Sequence, residues 1–136
     1  MGTTPAQALG RLEQAAADGR LDGVAERHRV AALTVFGSAA RRDPAARDLD
    51  VAVAFRRGVH DLLALLDELA ALTGSDDVDL LDLGVAGPVA REHALVGCVA
   101  LYESEPGLLA RLRGDAIVQR MDTDWLRRLD LDLLAR

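Results

Sequence analysis

The sequence has little of several features that define large classes of protein. It contains one cysteine, Cys98, which excludes an internal disulfide framework and favours a reducing compartment. No run of about eighteen consecutive apolar residues is present, so a membrane-spanning helix is excluded. The N-terminus lacks the basic and then apolar stretches of a secretory signal. We therefore expect a cytoplasmic protein that does not interact with membranes.

An excess of positive charge is also absent. The 136 residues include 16 basic and 22 acidic ones, and the formal net charge is −6. This balance argues against direct binding of nucleic acid, which needs basic surface along the phosphate backbone. A single nucleoside triphosphate needs only a local basic pocket and a metal ion, and it stays compatible with this charge. The chain is 50% hydrophobic and 28% charged, which is typical of a folded globular domain, and we assign residues 1–136 to a single domain.

The hydrophobic pattern alternates between helical and strand periods. It predicts helices near residues 5–18, 21–28, 59–72 and 88–96, and strands near residues 30–36, 48–55, 77–83 and 99–102. From Pro106 onward the pattern becomes helical to the C-terminus. The fold class is therefore α/β or α+β with a small sheet, with a core over about residues 30–106 and a C-terminal helical segment over about residues 107–136.

Two expectations concern this C-terminal segment. Asp122 or Asp124 is expected to cap a helix that begins near Trp125, because aspartate is favoured at that position. An apolar stripe is expected to pack into the core; it consists of Val118, Met121, Trp125 and Leu129. If Trp125 is exposed instead, the stripe indicates a surface for a partner protein.

Two carboxylates stand at the start of the second predicted strand. Asp48 and Asp50 are two residues apart, so the alternation of side chains along a strand directs both to one face. Neighbouring carboxylates repel each other, and a divalent cation removes that repulsion; Mg²⁺ prefers oxygen ligands of this kind. Asp79 lies within the apolar third strand and joins this pair if the two strands are neighbours, as a metal ligand or as a base.

The turn after the first predicted strand supplies candidates for binding phosphate. Gly37 allows a tight turn and close approach of the backbone to a ligand. Ser38 is expected to cap a short helix over residues 39–42, whose free N–H groups attract anions. Arg41 and Arg42 follow, and arginine binds phosphate oxygens through its planar, two-pronged guanidinium group.

Together these motifs resemble the minimal nucleotidyltransferases of the DNA polymerase β-like superfamily. The resemblance rests on Gly37-Ser38-x-Ala40-Arg41, on Asp48-Leu49-Asp50-Val51 and on Asp79 in the segment VDLLDL, with weaker support from GCVALYESEP. It covers about residues 33–106. Family members often have serine before the first aspartate and glycine after the arginine, where this chain has Arg47 and Arg42.

The resemblance implies a mixed β-sheet flanked by helices and the transfer of a nucleoside monophosphate from a triphosphate. It implies that Asp48, Asp50 and Asp79 hold two Mg²⁺ ions and form the catalytic group. Gly37, Ser38, Arg41 and Arg42 are then the residues that bind the phosphates of ATP. Small bacterial members resemble antitoxins, which implies a cognate HEPN-domain toxin as partner, in a hetero-oligomer, and attachment of AMP to a tyrosine of that toxin.

Other interpretations of the same residues remain open. The chain fits a nucleotidyltransferase that modifies a small molecule such as an aminoglycoside, although such enzymes normally have additional protein to bind the acceptor. It also fits an antitoxin that acts by binding alone and keeps its acidic residues without using them. A structural domain with coincidental acidic residues is the remaining alternative.

Overall fold

Four short apolar segments of the chain form the strands of one sheet. The computed structural model describes residues 2–134, without the side chains of residues 123, 126, 127 and 129–134. The strands are β1 (Val30–Phe36), β2 (Leu49–Phe55), β3 (Val78–Asp82) and β4 (Val99–Glu103). The helices are α1 (Pro5–Ala17), α2 (Arg20–Arg27), α3 (Gly37–Ala40), α4 (Leu62–Thr73), α5 (Pro88–Leu95) and α6 (Leu108–Leu134).

The sheet is mixed, with the strand order β3-β2-β1-β4. β1 pairs in antiparallel fashion with both β2 and β4, whereas β2 and β3 are parallel. A parallel pair needs a crossover connection, and α4 supplies it. The expected α/β class with a small mixed sheet flanked by helices is therefore confirmed.

Each face of the sheet carries its own layer of helices. Leu33 and Val35 of β1 pack into a cluster with α1, α2 and α4. Ala32 and Phe36, the alternate residues of the same strand, belong to a second cluster that includes residues of α5 and α6. The buried hydroxyl of Thr34 donates to the carbonyl oxygen of Ala94 at 3.0 Å and so ties β1 to α5. The period-two pattern of β1 thus separates the two layers.

Local signals explain where α1 and α4 begin. The side chain of Thr4 accepts a hydrogen bond from the backbone N–H of Gln7, whose side chain accepts in return from the backbone N–H of Thr4, a capping box. The Asp61 carboxylate accepts from the N–H of Ala64 at 3.1 Å. α4 therefore begins at Leu62, three residues later than the apolar pattern predicted, because the cap and not the first apolar residue sets the boundary.

The C-terminal helix differs from the prediction in two respects. It is continuous from Leu108 to Leu134, so the expectation that Asp122 or Asp124 caps a new helix near Trp125 is wrong. Asp124 instead accepts a hydrogen bond from Arg120, one turn earlier, at 2.5 Å, a pairing that suits a helix interior. Among the helices described for residues 2–134, none is long and apolar enough to cross a membrane.

Candidate active site

Two carboxylates lie next to each other at the end of the sheet where β2 and β3 begin. Asp50 is the register partner of Asp79 across these parallel strands. Ala52 and Leu81, two positions further along each strand, pack in the second core cluster. Because side chains alternate along a strand, Asp50 and Asp79 lie on the sheet face that α5 and α6 cover. The two strands are neighbours, as the prediction for Asp79 required.

Asp48 immediately precedes β2 and adds a third negative charge to this group. Asp50 is partly buried, whereas Asp48 and Asp79 are exposed. Burial, followed by the negative charges of Asp79 and Asp48, raises the pKa of Asp50 above its ordinary value of 3.8. The ionised form of Asp50 is therefore disfavoured unless positive charge comes close to it.

Gly37 forms the contact between the turn after β1 and this acidic group. Its φ of +73° is a left-handed conformation that favours glycine. A Cβ atom at this position would lie 2.6 Å from Oδ2 of Asp50, closer than non-bonded atoms approach. The absence of a side chain at Gly37 is therefore what allows the Asp50 carboxylate to lie against the turn.

The three polar residues predicted to bind phosphate after Gly37 have different surroundings in the structure. Ser38 is half-buried inside α3, which begins at Gly37 after Phe36 and has no side-chain cap. The expectation that Ser38 caps residues 39–42 is wrong, because Ser38 already lies within the helix. Arg41 lines a cavity beside the turn. Arg42 points elsewhere, since Nη1 lies 3.4 Å from Oε1 of Glu13 on α1.

The cavity beside the turn has a volume of about 280 Å³. The turn contributes Gly37 and Arg41. The remaining walls come from the last turn of α5 and the two residues after it: Glu92, His93, Val96 and Gly97. The sequence prediction missed this α5 wall. No spacing of residues along the sequence indicates this wall, because α5 reaches the turn only through packing against β1.

The donor chemistry of this group fits a magnesium ion. Among residues 2–134, no three or more His, Cys, Asp or Glu side chains form a group that could hold a metal ion by themselves. Mg²⁺, however, is usually held by one or two carboxylates together with substrate phosphates and water. Asp48, Asp50 and Asp79 carry carboxylate oxygens of this kind, and a cation close to Asp50 would offset the burial and the like charges that raise its pKa.

The raised pKa of Asp50 leads to a testable pH dependence of stability. Since the folded protein holds this proton to higher pH than the unfolded chain, it binds more protons between the two pKa values. The stability of the wild-type protein relative to Asp50→Asn should therefore fall as the pH rises from about 4, the ordinary range of an aspartate carboxyl, through the raised pKa of Asp50. We expect the difference in melting temperature, measured in EDTA, to widen over this range and to shrink when Mg²⁺ is added. A difference that is constant with pH would contradict the electrostatic account of the site.

The family of the chain follows from its sequence as a whole. A family model described as polymerase beta, nucleotidyltransferase matches residues 21–106, more than half of the chain. The chain belongs to this family. The matched segment contains β1, the Gly37 turn and all three acidic residues, so the expected nucleotidyltransferase class of enzyme is confirmed at the level of the family. No curated protein matches the chain significantly.

Solved structures of similar fold come from toxin–antitoxin complexes. A chain of a toxin–antitoxin structure with AMP-PNP is 19% identical, with a TM-score of 0.68 over 87% of this chain and 98% of that one. A structure of tri-AMPylated Shewanella oneidensis HEPN toxin in complex with MNT antitoxin gives 20% identity and a TM-score of 0.64, over 91% of this chain and 99% of that one. A chain of an MntA–HepT complex gives 20% identity and a TM-score of 0.62, over 87% and 96%. At this identity the likeness concerns the fold of the nucleotidyltransferase domain.

The stripe on α6 is exposed, contrary to the expectation that it packs into the core. Val118, Met121 and Trp125 are 58%, 65% and 62% exposed, while the side chain of Leu129 lies outside the described residues. The stripe lies on the part of α6 that follows Ala116, the last of the described α6 side chains in the second core cluster. An exposed Trp125 was the condition under which the stripe was expected to form a surface for a partner protein.

Proposed function

We propose that this nucleotidyltransferase transfers AMP from ATP to a hydroxyl group of a partner protein, in a reaction that depends on Mg²⁺. The partner in this proposal is a cognate HEPN-domain toxin, the acceptor is a tyrosine of the toxin, and the chain acts as its antitoxin in the cytoplasm. The observation that carries the proposal is that Asp50 and Asp79 share one sheet face, with Asp50 against the Gly37 turn and the charge of Asp48 acting on Asp50.

The proposed reaction assigns a role to each member of this group. The acceptor hydroxyl oxygen attacks the α-phosphorus of ATP, and the bond from that phosphorus to the oxygen that bridges it to the β-phosphate breaks. Pyrophosphate leaves with the bonding electrons, and Asp79 takes the proton of the hydroxyl as a general base. Two Mg²⁺ ions held by Asp48, Asp50 and Asp79 would neutralise the phosphate charge and polarise the reacting oxygens.

In this proposal the phosphates of ATP are bound by Gly37, Ser38, Arg41 and Arg42. The positions of these residues in the structure support their roles to different degrees. Gly37 and Arg41 line the cavity beside the turn, and Gly37 also lies against Asp50, so a phosphate chain in the cavity would contact both. Ser38 lies between them in α3. Arg42 needs to leave Glu13 to take part, which its exposed position permits. We therefore expect substitution of Arg41 to weaken ATP binding more than substitution of Arg42.

The partner in the proposal comes from chains of similar fold. One is a chain of the complex between the MNT antitoxin and the tri-AMPylated HEPN toxin of Shewanella oneidensis. Another is a chain of a toxin–antitoxin structure with AMP-PNP. A feature of the present chain also supports a protein as acceptor, since α6 exposes an apolar stripe of Val118, Met121 and Trp125. Arg120, next to Met121, pairs with Glu92 of the cavity wall at 3.9 Å. A protein bound to the stripe would therefore lie beside the candidate site.

Replacement of Trp125 by alanine should weaken the complex with the acceptor protein. A tryptophan at the centre of an interface typically contributes about 2 kcal/mol, which corresponds to a roughly thirtyfold increase in Kd. Isothermal titration calorimetry of the two proteins would measure this change, and MgATP binding should be unaffected. Leu63→Ala is the matched control, because Leu63 is 70% exposed on α4, over the opposite face of the sheet. Equal affinities for the wild-type protein and Trp125→Ala would exclude the stripe as the docking surface.

A growth assay separates transfer from simple binding. Cells that express the toxin would also express either the wild-type chain or Asp48→Ala/Asp50→Ala. Under the proposal, the double variant forms the complex but no longer protects the cells. Protection by the double variant would favour an antitoxin that acts by binding alone. If the wild-type chain instead gives aminoglycoside resistance and no protection, the acceptor is a small molecule.

A further inference from the structure

The cavity beside the Gly37 turn has two walls, and the proposed function uses only one of them. Gly37 and Arg41 come from the turn, while Glu92, His93, Val96 and Gly97 come from α5 and the residues just after it. The segments that carry the family resemblance contain only Gly97 of this second wall and no residue of α5 itself. The roles of Glu92 and His93 on α5 therefore have to be inferred from their positions in the cavity.

The size and chemistry of the cavity favour part of a nucleotide over a whole one. Its volume of about 280 Å³ lies just below the range of about 300–1,000 Å³ that is usual for small-molecule sites. Aromatic carbon for stacking a base comes only from the exposed His93. Arg41 and His93 instead offer N–H donors, and the cavity adjoins Gly37, the residue in contact with Asp50. These features suit phosphate oxygens that lie beyond the reacting phosphorus.

Glu92 conflicts with this interpretation unless its charge is compensated, because a carboxylate repels phosphate. Partial compensation comes from α6, from an arginine that Glu92 shares with Asp124. Nε of Arg120 lies 3.9 Å from Oε2 of Glu92, and Nη1 of the same arginine lies 2.5 Å from Oδ1 of Asp124. The Arg120 side chain is only 25% exposed, so it is held between α5 and the exposed part of α6.

We propose that the α5 wall completes a subsite for the β- and γ-phosphates of the nucleotide, and that Arg120 is a positioning residue that keeps Glu92 compatible with them. His93 is a phosphate donor opposite Arg41 in this subsite. The inference rests on the proposed function, since it concerns the same nucleotide. It adds His93, Glu92 and Arg120 to the residues that determine affinity for the triphosphate.

Equilibrium binding of MgATP to the full chain without acceptor tests the inference independently of transfer. Isothermal titration calorimetry should give a Kd about tenfold higher for His93→Ala, the loss of one hydrogen bond to a charged group. Arg120→Gln should also raise the Kd about tenfold, because it leaves the Glu92 charge unpaired. Glu92→Gln introduced into Arg120→Gln should restore binding, which a purely structural role of Arg120 would not produce. Arg111→Gln is the matched control, as Arg111 forms an exposed ion pair with Glu105 on the same helix.

The outcomes distinguish the subsite from the proposed function. Equal Kd values for the wild-type protein, His93→Ala and Arg120→Gln, with unchanged melting temperatures, would overturn the subsite. Weak binding by Arg120→Gln that Glu92→Gln does not restore would overturn the role of Arg120. Absence of MgATP binding by the wild-type chain would overturn the subsite and the proposed function together. Normal MgATP binding without transfer to any acceptor would overturn the proposed function alone.

Discussion

Replacement of Asp50 by asparagine should abolish nucleotidyl transfer while the fold is kept. Asp50 is the partly buried member of the acidic group, between Asp48 and its register partner Asp79. Under the proposed function, loss of its charge removes the metal ligand nearest the Gly37 turn. Metal-assisted stabilisation of a phosphoryl transition state is worth several kcal/mol, so we expect the rate to fall about a thousandfold or more. The measurement is the initial rate of pyrophosphate release with acceptor protein, ATP and Mg²⁺ present.

The stability of this variant provides the internal control. Because burial and two like charges raise the pKa of Asp50, removal of its negative charge should leave the metal-free protein at least as stable at neutral pH. Asp67→Asn is the matched substitution; this aspartate is exposed on α4, over the other face of the sheet, and its loss should change neither rate nor stability. Substantial activity of Asp50→Asn in a correctly folded protein would contradict the assignment of the site.

The second large effect should come from Gly37→Ala, a change of one methyl group. The new Cβ would lie 2.6 Å from Oδ2 of Asp50, so either the carboxylate or the turn has to move. Displacement of a catalytic group by about 1 Å typically costs about a hundredfold in rate. We therefore expect at least that loss of transfer, together with about 1 kcal/mol of lost stability from the left-handed backbone. Rate and thermal unfolding measured on the same preparation would show both.

A second glycine separates the two contributions to this effect. Gly19 has a similar φ of +86°, but nothing lies within 4 Å of its Cβ position. Gly19→Ala should therefore lose about the same stability from backbone strain and keep its full rate. A loss of transfer in Gly19→Ala as large as that in Gly37→Ala would show that strain alone, and not contact with Asp50, explains the effect.

The sequence contained enough information to predict the sheet and the acidic group. Short apolar runs in the sequence identify the strands. The alternation of side chains along a strand, with a period of two residues, determines which of them share a face. This is why Asp48 and Asp50 were expected on one face, with Asp79 joining them if the third strand lay beside the second. The sequence holds four Asp-x-Asp pairs: Asp48/Asp50, Asp77/Asp79, Asp122/Asp124 and Asp130/Asp132. Only the first follows a glycine turn and leads into a buried strand, and that context carried the prediction.

Features that depend on packing between distant segments were not predictable in the same way. His93 and Glu92 reach the cavity because α5 packs on β1, and no local spacing encodes that arrangement. The continuity of α6 was missed because aspartate suits a cap as well as an exposed helix position; the Arg120–Asp124 pair decides between them. The exposure of Met121 and Trp125 likewise depends on where the helix leaves the core.

The central claim, transfer of AMP to a partner protein, is tested most directly by intact-mass spectrometry of the protein encoded beside this chain. That protein would be incubated with the chain, ATP and MgCl₂, in parallel with the Asp48→Ala/Asp50→Ala variant. The account predicts that its mass rises in steps of one AMP with the wild-type chain and stays unchanged with the variant. A stable complex with both forms of the chain and no gain in mass would contradict it.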